Sequence, residues 1–98
     1  MSAGGDGDLE IRRGDDRFYI GEDPEHALAE ILWTITPDRR IAIEHVEVAE
    51  ELQGRGIGRR LVDRVVEWAR QDRLKIVPVC PYAWNVLTGS DAYRDVLA

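Results

Sequence analysis

From residue 9 onward the chain reads first in short alternations and then in a long helical period. Residues 9–13, Leu-Glu-Ile-Arg-Arg, alternate apolar and polar side chains, which predicts a short strand. Gly14-Asp15-Asp16 is a turn, and residues 17–20 (Arg-Phe-Tyr-Ile) form a second strand, closed by a polar stretch with Pro24. Residues 27–36 fit helix or strand by pattern. Their second half is rich in β-branched and aromatic residues and Pro37 stops them, which favours strand. Residues 40–48 are a fourth strand. Four strands joined by short turns predict an antiparallel meander.

The period then changes. Ile57, Leu61, Val62, Val65, Val66, Trp68 and Ala69 fall on one face of a helix running to about residue 73. Arg59, Arg60, Asp63, Arg64, Glu67, Arg70 and Gln71 cover the other face. Residues 75–80 form a short strand after that helix, which predicts a parallel βαβ crossover. Pro78 lacks an N–H, so the strand lies at an edge or beside an opening in the sheet. Pro81 suits the first position of a helix to about residue 87, and Ser90 can cap a last turn reaching Leu97. Trp33, Trp68 and Trp84 are read as core or partial core. The fold class is α+β. Residues 1–8 are expected to be a disordered arm and residues 9–98 a single domain.

Composition narrows the function classes. Hydrophobic residues make up 44% and charged residues 33% of 98, ordinary for a globular domain. The net charge of -6 argues against general nucleic-acid binding and is compatible with cationic substrates. No apolar run approaches the roughly 20 residues of a membrane span, and Met1 to Gly7 carries no apolar core of a signal peptide. The lone Cys80 can form no internal disulfide, so the expected compartment is the cytoplasm. Two separated histidines and one cysteine make no metal site.

The chemistry concentrates between the fourth strand and the helix. Gln53-Gly54-Arg55-Gly56-Ile57-Gly58 places three glycines at alternate positions where helical spacing begins. Glycine allows positive φ and close backbone approach, and the first N–H groups of a helix lack intrahelical acceptors. Together with the macrodipole and with Arg55, Arg59 and Arg60, this composes an anion site. A plain strand-to-helix turn explains the spacing equally well. The Lys-Ser/Thr of a P-loop is missing, and G-x-G-x-G is not the dinucleotide fingerprint.

Meander, acidic turn and Gln53-x-x-Gly56-x-Gly58 opening an amphipathic helix resemble the acetyl-CoA motif of the GNAT acyltransferase superfamily. His45-Val46-Glu47-Val48, Pro78-Val79-Cys80-Pro81-Tyr82 and a tail containing Tyr93 resemble its minimal one-domain branch, called YjdJ-type. The resemblance covers residues 9–97. Val46 departs from it, since that branch usually carries threonine there, and Trp84-Asn85 does not map onto the pattern. The resemblance implies a meander followed by a βαβ unit whose strands 41–48 and 75–79 splay, with short C-terminal helices. It implies that pantetheine bonds the backbone of Val46, Glu47 and Val48 as an added strand would. The pyrophosphate would lie on N–H groups of Gln53, Gly54, Arg55, Gly56, Ile57, Gly58 and Arg59.

The implied reaction is direct acetyl transfer from CoA to an amine, without a metal. The amine must lose a proton before attack, and the thioester oxygen needs a hydrogen-bond donor. His45 is the candidate base, against a histidine simply satisfied in the sheet. Glu47, two residues on, would orient His45 or act through water, against a solvated carboxylate. Cys80 is a candidate proton donor, against a buried small hydrophobe. His26 is expected to be exposed. The implied partners are acetyl-CoA and an amine acceptor, on a protein lysine or N-terminus if the groove is open, with neither nucleic acid nor membrane. The rival reading is a non-catalytic CoA-binding or interaction module.

Overall fold

The computed structural model describes residues 9–98, so the expected N-terminal arm lies outside the described residues. The strands are β1 (Arg12–Arg13), β2 (Arg17–Gly21), β3 (Ala27–Ile35), β4 (Arg40–Val48) and β5 (Lys75–Pro78). They form one sheet in the order β1-β2-β3-β4-β5. Neighbours are antiparallel except β4 and β5, which are parallel. The helix α1 (Ile57–Asp72) makes the crossover between those two, and α2 (Pro81–Thr88) follows β5. Short 3-10 turns occupy Pro24–His26, Glu50–Leu52 and Asp91–Tyr93.

Periodicity explains the core. Alternate side chains of β2, β3 and β4 (Phe18, Ile20, Ile31, Trp33, Ile41 and Ile43) turn to one face of the sheet and are buried. All seven apolar residues of the predicted helical face are buried as well, with Leu61, Val62 and Val65 fully enclosed. Burying each such side chain contributes roughly 1.5–3 kcal/mol, and this fixes α1 on that face. Phe18, Trp33 and Trp68 meet there, with ring centroids 4.7–6.2 Å apart. Arg13 lies over all three rings, 4.6 Å from the Trp68 centroid. Arg73 ends α1 in the left-handed conformation at φ 57.

Four expectations change. The first strand is shorter than 9–13: only Arg12 and Arg13 pair, with Tyr19 and Phe18, while Leu9 and Ile11 pack partly buried against the core. The fifth strand stops at Pro78, because the Val79 and Cys80 N–H groups both turn to the Ile43 carbonyl. Trp84 is no core residue but 56% exposed, since α2 buries the Ala83 and Leu87 side instead. Ser90 does cap a turn, accepting from the Ala92 N–H, but that turn ends at Tyr93. Beyond it Leu97 pairs in parallel with Ile76, so β5 captures the end of the chain.

Candidate active site

The sheet opens at β4. Its ladder with β5 runs only from Arg40–Lys75 to Ile43–Pro78. Ile43 O then accepts from Val79 N at 3.1 Å and Cys80 N at 3.0 Å, and no further β5 group continues along β4. On its other side β4 steps register. Leu32 pairs with His45 and Trp33 with Ile43, leaving Glu44 as the extra residue of a bulge. Such a bulge bends the strand, and residues 44–48 leave β5 behind. The Ala49 N–H donates to Leu28 O at 2.7 Å, towards β3. In a trans peptide the Val48 carbonyl must then point the opposite way, to the open edge. There it accepts from Gln53 Nε2 at 3.2 Å.

The glycine loop faces the same opening. Gly54 has φ 83, and Gly56, the N-cap of α1, has φ 74. A Cβ at either would meet nothing within 4 Å, so both positions need glycine for their backbone conformation and not for room. No side chain caps α1, so its first N–H groups keep their partial positive charge free for an anion. Gly58 is different. A Cβ there would come within 2.8 Å of Tyr82 Oη, at the start of α2. The resulting cleft of about 320 Å³ is lined by Val46, Val48, Leu52, Gln53, Gly54, Gly56, Ile57, Gly58 and Tyr82.

The three loop arginines have separate fates. Arg55 is exposed. Arg60 reaches back to donate to Leu9 O at 3.3 Å. Arg59 is exposed, and the Tyr93 hydroxyl is the leading influence raising its pKa. That hydroxyl in turn donates to Asp63 Oδ1 at 2.6 Å, which raises the Tyr93 pKa.

The candidate catalytic residues lie outside the lining of this cleft. His45 and Glu47 alternate with the inward Val46 and Val48 and project to the other face of the sheet, both exposed, with Nε2 and Oε1 3.5 Å apart. Glu47 borders a second groove of about 420 Å³, together with Glu25, Glu30, Glu50 and Arg17. Arg17 is ion-paired to Glu30 at 2.8 Å. Cys80 is buried in the core cluster at the N-cap of α2. His26 is exposed, its ring against Asp23. The structure therefore gathers Val46, Val48, Gln53, Gly54, Gly56, Ile57 and Gly58 around one cleft, and leaves the titratable candidates behind and beside it. Tyr82 carries no expected role in the sequence; its place just inside a helix opened by Pro81 is the signal that puts its ring at the cleft.

A mixed sheet opened beside a glycine-rich helix start is the GNAT-like α+β fold. The chain belongs to the GCN5-related N-acetyltransferase family, whose sequence model matches residues 17–96. It is similar to a GCN5-like protein of Staphylococcus aureus, known from a solution NMR structure and given a provisional N-acetyltransferase name. The two are 43% identical with a TM-score of 0.80, over 93% of this chain and 89% of the other. No curated protein matches the chain.

Proposed function

We propose that this chain binds acetyl-CoA in the opening beside β4 and transfers the acetyl group directly to a primary amine, on a protein lysine or N-terminus. The observation that carries the reading is the unpaired edge of β4 at Val46–Val48 lying next to the uncapped start of α1. An amide already sits on the Val48 carbonyl, that of Gln53, which marks the position a pantetheine amide would take. The phosphates would rest on N–H groups from Gln53 to Arg59.

Acetyl-CoA, when bound, supplies an activated thioester. The Val48 N–H, on the same strand edge as its carbonyl, is the donor for the thioester oxygen. His45 is the base that accepts the amine proton, and Glu47 at 3.5 Å orients it. Cys80 or the Tyr82 hydroxyl returns a proton to the departing thiolate. The groove bordered by Glu25, Glu30, Glu47 and Glu50, with one carboxylate offset by Arg17, favours a cationic acceptor. Its openness suits an amine carried on a protein. The natural setting is the cytoplasm, where the single thiol stays reduced.

Titrating acetyl-CoA into the 15N-labelled protein tests the cofactor site. Shifts are expected at Val46–Val48 and from Gln53 to Arg60, and a spectrum unmoved at millimolar ligand removes the enzyme reading. Turnover of a lysine peptide separates enzyme from binding module. His45→Ala and Cys80→Ala should each slow it while CoA still binds, and full activity in either removes that residue from the mechanism.

A further inference from the structure

At the open edge of β4 the Val48 carbonyl already has a partner. Gln53 Nε2 donates to it at 3.2 Å, from five residues further along the chain. Between the two lies the acidic turn Glu50–Leu52. Its own bonds, Leu52 N to Ala49 O and Gln53 N to Glu50 O, bring residue 53 back beside the strand it left. Gln53 is exposed, and that carbonyl is the one partner of its side chain among the described residues. Both residues line the same cleft. The other edge of β4 is closed by β3, which pairs with it up to Ala29–Val48. A second donor to Val48 O must therefore come through the cleft too. Alternate residues of a strand show their backbone groups to one side, so Val46 and Val48 share the open edge. A ligand amide that pairs there as an added strand reaches Val46 freely and finds Val48 taken.

We infer that the Gln53 side chain is a gate on the pantetheine arm of the cofactor: its amide and the ligand amide compete for Val48 O, and Gln53 must let go before the arm can bond there. This rests on the acetyl-CoA reading above. A primary amide suits the role, because it offers the same N–H donor that the arm brings. The exchange keeps the carbonyl satisfied, which matters beside the apolar wall of Val46, Leu52 and Ile57. The competition lowers affinity, since only molecules with the side chain withdrawn hold the arm fully. The nucleotide half of CoA carries no amide for that edge, so the gate acts on the arm alone.

The test is a calorimetric titration of two probes, CoA and an adenosine bisphosphate that carries its nucleotide without pantetheine, into the full chain and into Gln53→Met. Methionine keeps the length of the side chain and removes the donor. CoA should bind the variant about two- to tenfold more tightly, the size of one neutral hydrogen bond, and the nucleotide probe should bind both proteins alike. A Gln53 that holds the cofactor itself predicts the opposite sign. Spectra of the 15N-labelled native chain give a second readout, with the Gln53 side-chain amide identified by its loss in Gln53→Met. That signal should move to the position of a solvated amide with CoA and stay in place with the nucleotide probe. CoA affinity unaltered or weakened in Gln53→Met, equal tightening of both probes, or a Gln53 amide that stays put while Val46 and Val48 shift overturns the inference and leaves the cofactor reading standing. Failure of both proteins to bind CoA overturns both.

Discussion

Gly58→Ala should separate stability from function. Gly58 is the second residue of α1 and lies outside the positive-φ glycines, so alanine fits its backbone. Replacing glycine with alanine inside a helix stabilises by roughly 0.5–1 kcal/mol. Against this, the new Cβ would lie 2.8 Å from Tyr82 Oη, 3.0 Å from Cζ and 3.1 Å from Cε2. Those atoms are the far end of a side chain that is 42% exposed, so the ring can swing outward at a cost of about 0.5–1.5 kcal/mol. The two effects nearly cancel. The melting temperature should stay within about 8 °C of the native value for a domain of this size. The cleft fares worse, because the methyl group enters its wall and Tyr82 leaves it. On the proposed cofactor reading, a phosphate held off the first α1 N–H groups by that methyl would lose one charge-assisted hydrogen bond, about 1.5–3 kcal/mol, and CoA would bind roughly ten- to hundredfold more weakly. Gly56→Ala is the internal contrast. Its Cβ meets no atom, yet φ 74 costs a non-glycine residue about 1–2 kcal/mol, so there stability falls first. Thermal melts and CoA titrations of both variants decide the matter. A Gly58→Ala protein that melts far below the native chain shows that Tyr82 cannot yield. One that binds CoA with native affinity shows that this contact is no part of the cofactor site.

Three further outcomes follow from side-chain partners. Trp33 and Trp68 are equally buried, but Trp68 Nε1 donates to Asp72 at 3.0 Å whereas Trp33 Nε1 is buried without a partner. Trp68→Phe should therefore cost about 1 kcal/mol more than Trp33→Phe in urea unfolding, and the reverse order contradicts this. Arg13→Met keeps the aliphatic stem and loses the cation lying 4.6–5.5 Å from three ring centroids, so stability should drop by about 0.5–1 kcal/mol; no loss would mean that the stem alone covers the rings. Tyr93 titrates above the ordinary 10.0, chiefly because its hydroxyl donates to Asp63. Its contribution is complete below 10.0 and is lost as pH rises through the higher folded value. Melts across that alkaline range should fall less steeply in Tyr93→Phe, and parallel curves refute the assignment.

Much of this was legible because it is local. The bounds of β4 and all seven apolar positions of α1 follow from alternation and from the 3.6-residue period. The glycine loop could be read because positive φ is a property of single residues, as Gly54 and Gly56 bear out. What escaped depends on partners distant in sequence. The first strand shrinks to two residues because it pairs on one side only, and alternation cannot see how far a neighbour extends. Trp84 misleads because aromatic size argues for burial, whereas helix phase puts Ala83 and Leu87 inward. Tyr82 on Gly58 and Tyr93 on Asp63 join segments that no short-range pattern connects.

The opening itself shows how far one residue can be read. Pro78 signals that pairing fails somewhere near it, but a missing donor does not say which strand departs. The answer lies across the sheet. With Glu44 inserted between the pairs Leu32–His45 and Trp33–Ile43, β4 bends while β5 ends against the Ile43 carbonyl. The bulge also shifts the alternation. Ile41 and Ile43 point into the core and, one extra residue later, Val46 and Val48 do so again, while His45 and Glu47 are turned to the opposite face, where Glu47 borders the acidic groove. A regular strand would have kept the odd-numbered residues inward and carried His45 and Glu47 onto the α1 side, with the valines facing the glutamates. One inserted residue therefore does two things at once: it leaves the β4 edge open beside the glycine loop, and it puts His45 and Glu47 together on the opposite face of the sheet.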